Sequence, residues 1–212
     1  MIEAIPNRVR RAVLAVLACV SVVVFAIAFI DRPASSWAHA HLCRPAFLNR
    51  VTHAEDPLPL AATLGIVGSA IAAVIRGGRP GEKSQTVIAA SVAVLVASEI
   101  KDQLKNFFGR PWPESWTSEN PSWISTHASG FQFFHGGRGW ESFPSGHMAQ
   151  MAALAAVIWL RLPRFRWLGV ALTCLVAITL WAADYHFVGD IIAGACLGTA
   201  CGIGMVFVAC RH

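Results

Sequence analysis

The residue types best suited to chemistry stand in two short motifs, Pro144-Ser145-Gly146-His147 and, after thirty-eight intervening residues, His186-Phe-Val-Gly-Asp190. Asp190 follows His186 by four positions, so on one helix the two side chains would share a face. A carboxylate that accepts a hydrogen bond from one imidazole nitrogen fixes the tautomer and leaves the other nitrogen free to attack. We therefore predict His186 as a nucleophile oriented by Asp190. The alternative is that Asp190 caps the first turn of a helix.

The first motif is typical of a helix start that binds an anion. Backbone N–H groups there have no partner within the helix, and the helix dipole adds partial positive charge. We predict that Ser145 and Gly146 bind phosphate, and that His147 protonates the departing alkoxide. A plain serine cap after a proline accounts for Pro144 and Ser145. It gives no reason for His147.

Three cations are predicted to balance the charge of a phosphoryl group. Lys105 and Arg110 bracket a turn that follows an apolar stretch, and Arg138 lies in a glycine-rich loop nine residues before His147. Arginine binds phosphate through forked hydrogen bonds, and lysine acts as a point charge. Lys101 is instead expected to contact lipid headgroups or to pair locally with Asp102 or Glu99.

The elements that must position these residues are membrane helices. The 212 residues are 55% hydrophobic and only 14% charged, with a formal charge of +5, and a bilayer core requires about 20 apolar residues per helix. We predict an all-α polytopic bundle of six transmembrane helices forming a single domain over residues 1–212. The predicted spans are Ala12–Ile30, Pro59–Ile75, Thr86–Ile100, Met148–Leu160, Leu168–Asp184 and Asp190–Cys210.

Charge placement predicts the orientation of these spans. By the positive-inside rule, segments rich in arginine and lysine face the cytoplasm. Both termini are then cytoplasmic, and segments 31–57, 101–147 and 185–190 lie outside. A cleaved signal is the alternative for the first span, but its nineteen apolar residues exceed the about 7 to 15 of a signal peptide. The cations of the predicted cytoplasmic side are Arg8, Arg10, Arg11, Arg76, Arg79, Lys83, Arg161, Arg164, Arg166 and Arg211.

The remaining polar and small residues give weaker signals. The cysteine and histidine spacings predict neither a disulfide framework nor a metal site. His39 and His41 are interpreted as solvated residues of a surface loop or a short amphipathic helix. Trp112 and Trp116 fit loop packing and lipid anchoring equally well. Four glycines of the last span are expected to pack within the bundle rather than between subunits. They are Gly194, Gly198, Gly202 and Gly204.

In their order and membrane setting, these motifs resemble the type 2 phosphatidic acid phosphatase (PAP2) superfamily, which also contains bacterial acid phosphatases and vanadium haloperoxidases. Its signature is a lysine, six residues and Arg-Pro; then Pro-Ser-Gly-His; then Ser-Arg, five residues, a histidine, three residues and an aspartate. The chain matches at Lys105, at Pro144 to His147, at His186 and at Asp190. It departs where the signature has its two arginines, because Trp112 and Leu180 stand there.

The resemblance implies a helical core with six spans and a phosphohistidine mechanism that needs no metal or cofactor. His186 would take the phosphoryl group, Asp190 would orient it, and His147 would be the general acid. Lys105, Ser145 and Gly146 would hold the phosphate oxygens, with Arg110 and Arg138 as substitutes for the absent arginines.

The resemblance and the membrane setting together predict a lipid-phosphate phosphatase of the bacterial inner membrane, with its site facing the periplasm. Phosphatidate, phosphatidylglycerophosphate, an isoprenyl diphosphate or a lipid A phosphate would each fit as substrate, and no nucleic-acid partner is expected. Two alternatives stay open. One is a phosphotransferase that passes the phosphoryl group to another lipid, and the other is a non-catalytic membrane protein that binds anionic lipid.

Overall fold

The computed structural model describes residues 6–42, 57–115 and 120–209, and this part of the chain contains helices and no β-strand. The all-α class predicted from the sequence is confirmed. The α-helices are α1 (Asn7–Phe25), α2 (Asp31–His41), α3 (Leu58–Ile75), α4 (Glu82–Phe108), α5 (Trp123–Thr126), α6 (Gly146–Arg161), α7 (Arg166–Ala182) and α8 (Val188–Ala209). A π-helical stretch, Ala26–Ile30, joins α1 to α2, and 3-10 turns lie at Arg138–Trp140 and Pro163–Phe165.

Four helical stretches are long and apolar enough to cross a membrane. They coincide with the first, second, fifth and sixth predicted spans. Many of their large apolar side chains are exposed, as expected where the surrounding solvent is lipid. The chain is therefore a multi-pass membrane protein. The four stretches are Asn7–His41, Leu58–Ile75, Pro163–Ala182 and Val188–Ala209.

The third and fourth predicted spans are also helical, but α4 and α6 differ from the other four. α4 is 27 residues long and continues past Ile100 to Phe108, whereas α6 has only 16 residues. Both contribute to the buried core, where alanines of α4 pack against Ala149, Ala153 and Val157 of α6. α6 is shorter than the about 20 residues that a helix needs to span a bilayer core, and α4 carries Lys101, Asp102 and Lys105 in its C-terminal part.

Glycines let α8 approach the backbone of α6 closely. A Cβ added at Gly194, Gly198 or Gly202 would lie 2.4, 2.0 or 2.5 Å from the carbonyl oxygen of Ser145, Ala149 or Ala153, respectively. Small residues at such spacing allow membrane helices to pack backbone to backbone. The expected packing within the bundle is confirmed for these three glycines. Gly204 has nothing within 4 Å of its added Cβ.

The helical stretch that begins with α1 does not end at Ile30, where the predicted span ends, but continues through α2 to His41. Asp31, Ser35 and Ala38 are buried, and their spacing of four and three residues places them on one face of α2. The short amphipathic helix is therefore the correct alternative for residues 31–41. The predicted outer segment continues into residues 43–56, including Cys43, which lie outside the described part.

Because successive long helices alternate in direction, the arginine-rich helix ends meet at one end of the bundle. There the Nη2 atom of Arg161 lies 3.7 Å from Glu82 Oε1, and its Nε atom donates to Thr86 Oγ1. The opposite end, which we call the motif end, consists of the C-terminal end of α4 and the N-terminal ends of α6 and α8. Both histidine motifs lie at the motif end.

Candidate active site

The two histidine motifs adjoin because the helices that carry them begin side by side. The backbone N–H of Ser145, the residue before α6, donates to the carbonyl oxygen of Asp190 in the first turn of α8 at 3.1 Å. The ring centroids of His147 and His186 are 6.4 Å apart. Close packing of α6 on the α8 glycines therefore sets the separation of the two imidazoles.

The Nδ1 atom of His186 faces the carboxylate of Asp190. It lies 3.7 Å from Asp190 Oδ2, longer than a hydrogen bond, and 3.5 Å from Ser142 Oγ. Ser142 is fully buried and donates to Asp190 Oδ2 at 2.5 Å, so it stands between the two groups. Asp190 Oδ2 also accepts from the N–H of Phe187 at 3.1 Å, which is the capping contact of the alternative interpretation. Asp190 thus caps α8 and faces the histidine at once.

The other nitrogen of His186, Nε2, is buried and has no hydrogen-bond partner among the described residues. The rings of Trp112 and Tyr185 lie 5.0 and 5.2 Å from the imidazole, centroid to centroid, and the residue is only 2% exposed. Burial lowers the pKa of His186, although the nearby Asp190 carboxylate acts in the opposite direction. A low pKa favours the neutral imidazole, which is the nucleophilic form.

Arg110, predicted from the sequence to bind phosphate, is buried in the protein. Gly109 follows the last residue of α4. Its φ of 54° is left-handed, and a Cβ added to it would lie 2.1 Å from Gln132 O, so only glycine fits this helix end. The chain then turns Arg110 inward, where its side chain is 1% exposed. Its guanidinium donates to Asp190 Oδ1 at 2.5 Å and to Asp31 Oδ2 at 2.7 Å.

Two buried carboxylates therefore share the charge of Arg110. Burial alone would lower the pKa of this guanidinium, but Asp190 and Asp31 outweigh it and raise the pKa above its usual value. Asp31 also accepts from the backbone N–H of Gly189 at 2.7 Å through its second oxygen, so it caps the start of α8 from another helix.

Sequence reasoning missed both Asp31 and Ser142. For Asp31 a signal existed, because an acidic residue at the end of an apolar span is costly to bury without a partner. Ser142 is an ordinary loop serine two residues before Pro144 and carries no comparable signal.

A cavity of about 270 Å³ opens beside His147. Lys105, which lies beyond the apolar part of α4, extends along it, and its Nζ atom is 5.6 Å from the centroid of the Trp112 ring. Burial, and next to it the charge of Lys101, lower the pKa of Lys105 to about 8. The walls of this cavity, which we call the lysine cavity, include Ser98, Lys101, Lys105, Gly146, His147 and Gln150.

The other predicted phosphate ligands take different positions. Ser145 is fully buried, and its Oγ caps α6 by accepting from Met148 N at 3.4 Å. Arg138 is exposed, and its side chain makes no hydrogen bond or ion pair within the described ranges. Its carbonyl oxygen accepts from Trp112 Nε1 at 2.7 Å. Trp112 is thereby packed against the site, as the loop-packing alternative proposes, and Trp116 falls outside the described residues.

His39 is not the solvated residue that its sequence context indicates, whereas His41 is exposed. The Nδ1 atom of His39 lies 3.1 Å from Asp184 Oδ2 and 3.6 Å from Glu114 Oε2. One potential ligand atom of each residue lies within 4.8 Å of the others, so the three could hold a cation. Their positions in sequence are far apart, which explains why spacing did not reveal the group.

The sequence of the chain matches that of a known protein family. The family model described as the PAP2 superfamily matches residues 86–210, which is more than half of the 212 residues. The chain belongs to the PAP2 superfamily.

A solved structure resembles the chain over nearly its whole length. It is described as the crystal structure of the first transmembrane PAP2 type phosphatidylglycerolphosphate phosphatase from Bacillus subtilis. The two chains are 17% identical, the match covers 91% of this chain and 94% of the other, and the TM-score is 0.49. No curated protein matches the chain. The family assignment rests on the sequence match.

Proposed function

We propose that the protein is a lipid-phosphate phosphatase that works through a phosphohistidine on His186 at the outer face of the membrane. The observation that carries the proposal is the arrangement of the two histidine motifs. Asp190 and Ser142 face Nδ1 of His186, Nε2 has no partner among the described residues, and His147 stands 6.4 Å away, centroid to centroid. Such an arrangement suits a nucleophile with an orienting carboxylate and a separate general acid.

In the proposed reaction, Nε2 of His186 attacks phosphorus while the bond from phosphorus to the lipid oxygen breaks. His147 gives a proton to that oxygen, and Asp190 stabilises the cationic, phosphorylated imidazole. Water then attacks phosphorus and passes a proton to His147, and the P–N bond breaks to release inorganic phosphate. Nε2 of His186 would attack phosphorus from about 3 Å, and His147 would donate to the leaving oxygen over about 3 Å. Both distances are compatible with the 6.4 Å between the centroids of the two rings.

The phosphate oxygens are proposed to bind at the start of α6 and at Lys105. Gly146 and Lys105 line the lysine cavity, and the N-terminal end of a helix favours an anion. Ser145 shapes this end by capping it. Arg110 is assigned the different role of positioning Asp190, because both of its terminal nitrogens bond carboxylates. Arg138 is left out of the proposed phosphate site, because its side chain is exposed and makes no polar contact in the described structure.

Membrane setting supports a lipid substrate and an outward-facing site. The motif end lies opposite the helix ends that carry the arginines, and the positive-inside rule assigns those arginine-rich ends to the cytoplasm. A headgroup phosphate at the membrane surface would meet the lysine cavity without leaving the bilayer. The substrate class proposed is therefore a phosphomonoester or diphosphate of a lipid.

A second candidate function is non-catalytic binding of anionic lipid. Trp112 stands at the place of a signature arginine, and its ring, with that of Tyr185, lies close over the buried His186. Nε2 of His186 is buried, so attack by this atom requires that neighbouring side chains move to admit a phosphoryl group. A protein in which they never moved would bind phosphate at the lysine cavity without transferring it.

One experiment separates the two candidates. Detergent-solubilised protein is incubated with phosphatidate, phosphatidylglycerophosphate, an isoprenyl diphosphate and a lipid A phosphate, and inorganic phosphate is measured. The phosphatase predicts release from at least one lipid and a loss of at least about 1000-fold in His186→Ala. His41→Ala is the matched control, because His41 is exposed and should leave the rate unchanged. Release by the wild type that equals release by a His147→Ala, His186→Ala double variant would support the binding protein.

A further inference from the structure

Lys101 stands one helical turn before Lys105 on α4. Both lysines line the lysine cavity together with Gly146 and His147. Residues four apart lie on one face of a helix, so the two ammonium groups extend from α4 toward the start of α6. The family signature contains the lysine at position 105 and none at position 101.

Lys101 lies directly over the first residue of α6. A Cβ added at Gly146 would be 2.8 Å from Cδ and 2.9 Å from Cε of Lys101, and 3.6 Å from its Nζ atom. The lysine stem therefore occupies the space that any larger residue at position 146 would need. This packing holds the ammonium beside His147 and at the helix end where an anion is favoured.

The ion partner of Lys101 is easily exchanged. Its Nζ atom pairs with Asp102 Oδ1, which confirms the local pairing expected from the sequence, but the Asp102 side chain is 51% exposed whereas that of Lys101 is 14% exposed. An ion pair with a solvated carboxylate contributes little, because water screens it. A dianionic phosphoryl group in the cavity would be the stronger partner.

The charge arrangement also favours an anion between the two lysines. Like charges four residues apart on a helix destabilise each other, and the charge of Lys101 contributes to the lowered pKa of Lys105. A phosphoryl group bound between them would turn this repulsion into attraction toward a shared ligand.

Among the described residues, the lysines and arginines that line this cavity are Lys101 and Lys105. Trp112 and Leu180 replace the two signature arginines, and Arg110 is engaged by two carboxylates. In the proposed reaction His147 gives up its proton, so Lys105 alone would then leave a dianion incompletely balanced. We propose that Lys101 is a phosphate-binding residue, whose ammonium beside Gly146 and His147 supplies the second positive charge that arginines provide in the family signature. This inference rests on the proposed function for its substrate but concerns phosphate binding itself.

The test uses two substitutions and a control on the same helix. Lys101→Met keeps the stem that packs on Gly146 and removes the charge, whereas Lys101→Arg keeps the charge. Lys83→Met is the control, because Lys83 is an exposed lysine at the other end of α4. Binding of orthovanadate and of inorganic phosphate to detergent-solubilised protein is measured by titration calorimetry, and unfolding temperatures are recorded for each variant.

We expect Lys101→Met to weaken binding of both anions about tenfold or more, as for loss of a charge-assisted hydrogen bond. The unfolding temperature should not change, Lys101→Arg should bind within about threefold of wild type, and Lys83→Met should be unaffected. Equal affinities in Lys101→Met and wild type would overturn the inference, as would a wild type that binds neither anion. Equal losses in Lys101→Met and Lys101→Arg, with lowered unfolding temperatures, would overturn it in favour of a packing role.

Phosphate release from lipids distinguishes failure of this inference from failure of the proposed function. If wild type binds orthovanadate through Lys101 but releases no phosphate, the inference stands and the phosphatase proposal fails. If wild type releases phosphate and Lys101→Met has the same KM and the same affinity for orthovanadate, the phosphatase proposal stands and the inference fails.

Discussion

Asp190 owes its orientation to partners on three different segments. Its Oδ1 atom accepts from Arg110, and its Oδ2 atom accepts from Ser142 and from the N–H of Phe187. A carboxylate that accepts these three hydrogen bonds cannot rotate away from His186 without losing at least one of them. In the proposed mechanism, this network keeps Nδ1 of His186 directed at negative charge while Nε2 reacts.

Replacing Arg110 tests its positioning role. Arg110→Met would leave Asp31 and Asp190 buried without a cation, which costs about 3–5 kcal/mol for a broken buried pair. We expect a correspondingly lower unfolding transition in detergent micelles and loss of phosphate release. Arg79→Met, a change at an exposed arginine, is the control. Unchanged stability combined with a raised KM would show instead that Arg110 binds substrate.

The lowered pKa of Lys105 predicts an alkaline limit to activity. Lys105 must be charged to bind phosphate, and its pKa of about 8 means that the charge is present below that pH and is lost as the pH rises through it. We expect kcat/KM for a lipid phosphate to fall above about pH 8.

A conservative variant separates Lys105 from His147 as the source of this limit. In Lys105→Arg the cation persists at high pH, so the alkaline limb should move upward by more than one pH unit. If the alkaline limb of the pH profile does not move in Lys105→Arg, the titration of a group other than Lys105 causes it.

At the scale of elements, the apolar windows predicted where helices form more reliably than where they end. The window of the first span stops at Asp31 because an acidic residue ends an apolar run. The helix continues because Arg110, 79 residues away, neutralises that acid. The position of Asp31 at the end of an apolar span signals that it needs a partner, but no local signal identifies Arg110 as that partner. The C-terminal end of α4 was also not predicted, because the polar residues after Ile100 remain helical up to Phe108.

The candidate site was predictable to the extent that it depends on local motifs. His147, His186 and Asp190 come together because each belongs to a motif at a helix start. The placement of Arg110 was not predictable, because it depends on two carboxylates distant in sequence. Lys105 and Arg110 look equivalent in sequence, yet Gly109 separates a lysine that faces the cavity from an arginine that turns inward.

Two glycine substitutions in α8 form a matched test of its close packing on α6. In Gly198→Ala the new Cβ would meet Ala149 O at 2.0 Å and so would force α8 from α6, whereas in Gly204→Ala it would meet nothing within 4 Å. We expect Gly198→Ala to lower the unfolding transition by an amount typical of overpacking, about 1–3 kcal/mol, and to reduce phosphate release by moving His186 relative to His147. Gly204→Ala should be neutral or slightly stabilising, because alanine favours helix by up to about 1 kcal/mol. Equal effects of the two changes would contradict backbone contact as the cause.

At the scale of the whole molecule, the two ends of the bundle are chemically different. One end carries arginines at the ends of α1, α3 and α6, and the motif end carries the histidines and the lysine cavity. The outer segments carry seven lysines and arginines, against ten on the arginine-rich side. Three of the seven are accounted for, because Arg110 pairs with two buried carboxylates and Lys101 and Lys105 line the lysine cavity, where an anionic ligand is proposed. The larger number of cations on the arginine-rich side still predicts the orientation.

Cysteine labelling on intact cells tests that orientation. In a cysteine-free background, Gln132→Cys places a thiol at an exposed position of the motif end and Arg79→Cys places one at an exposed position of the arginine-rich end. With the proposed orientation, a membrane-impermeant maleimide added outside should modify Gln132→Cys at once and Arg79→Cys only after the membrane is permeabilised.

The reverse labelling pattern would show that the site faces the cytoplasm, where the lipid phosphates of the inner leaflet would be its substrates. Labelling of both positions without permeabilisation would indicate insertion in two orientations. The phosphatase chemistry proposed for His186 is independent of this outcome, since it depends on the distances within the motif end and not on the side of the membrane that this end faces.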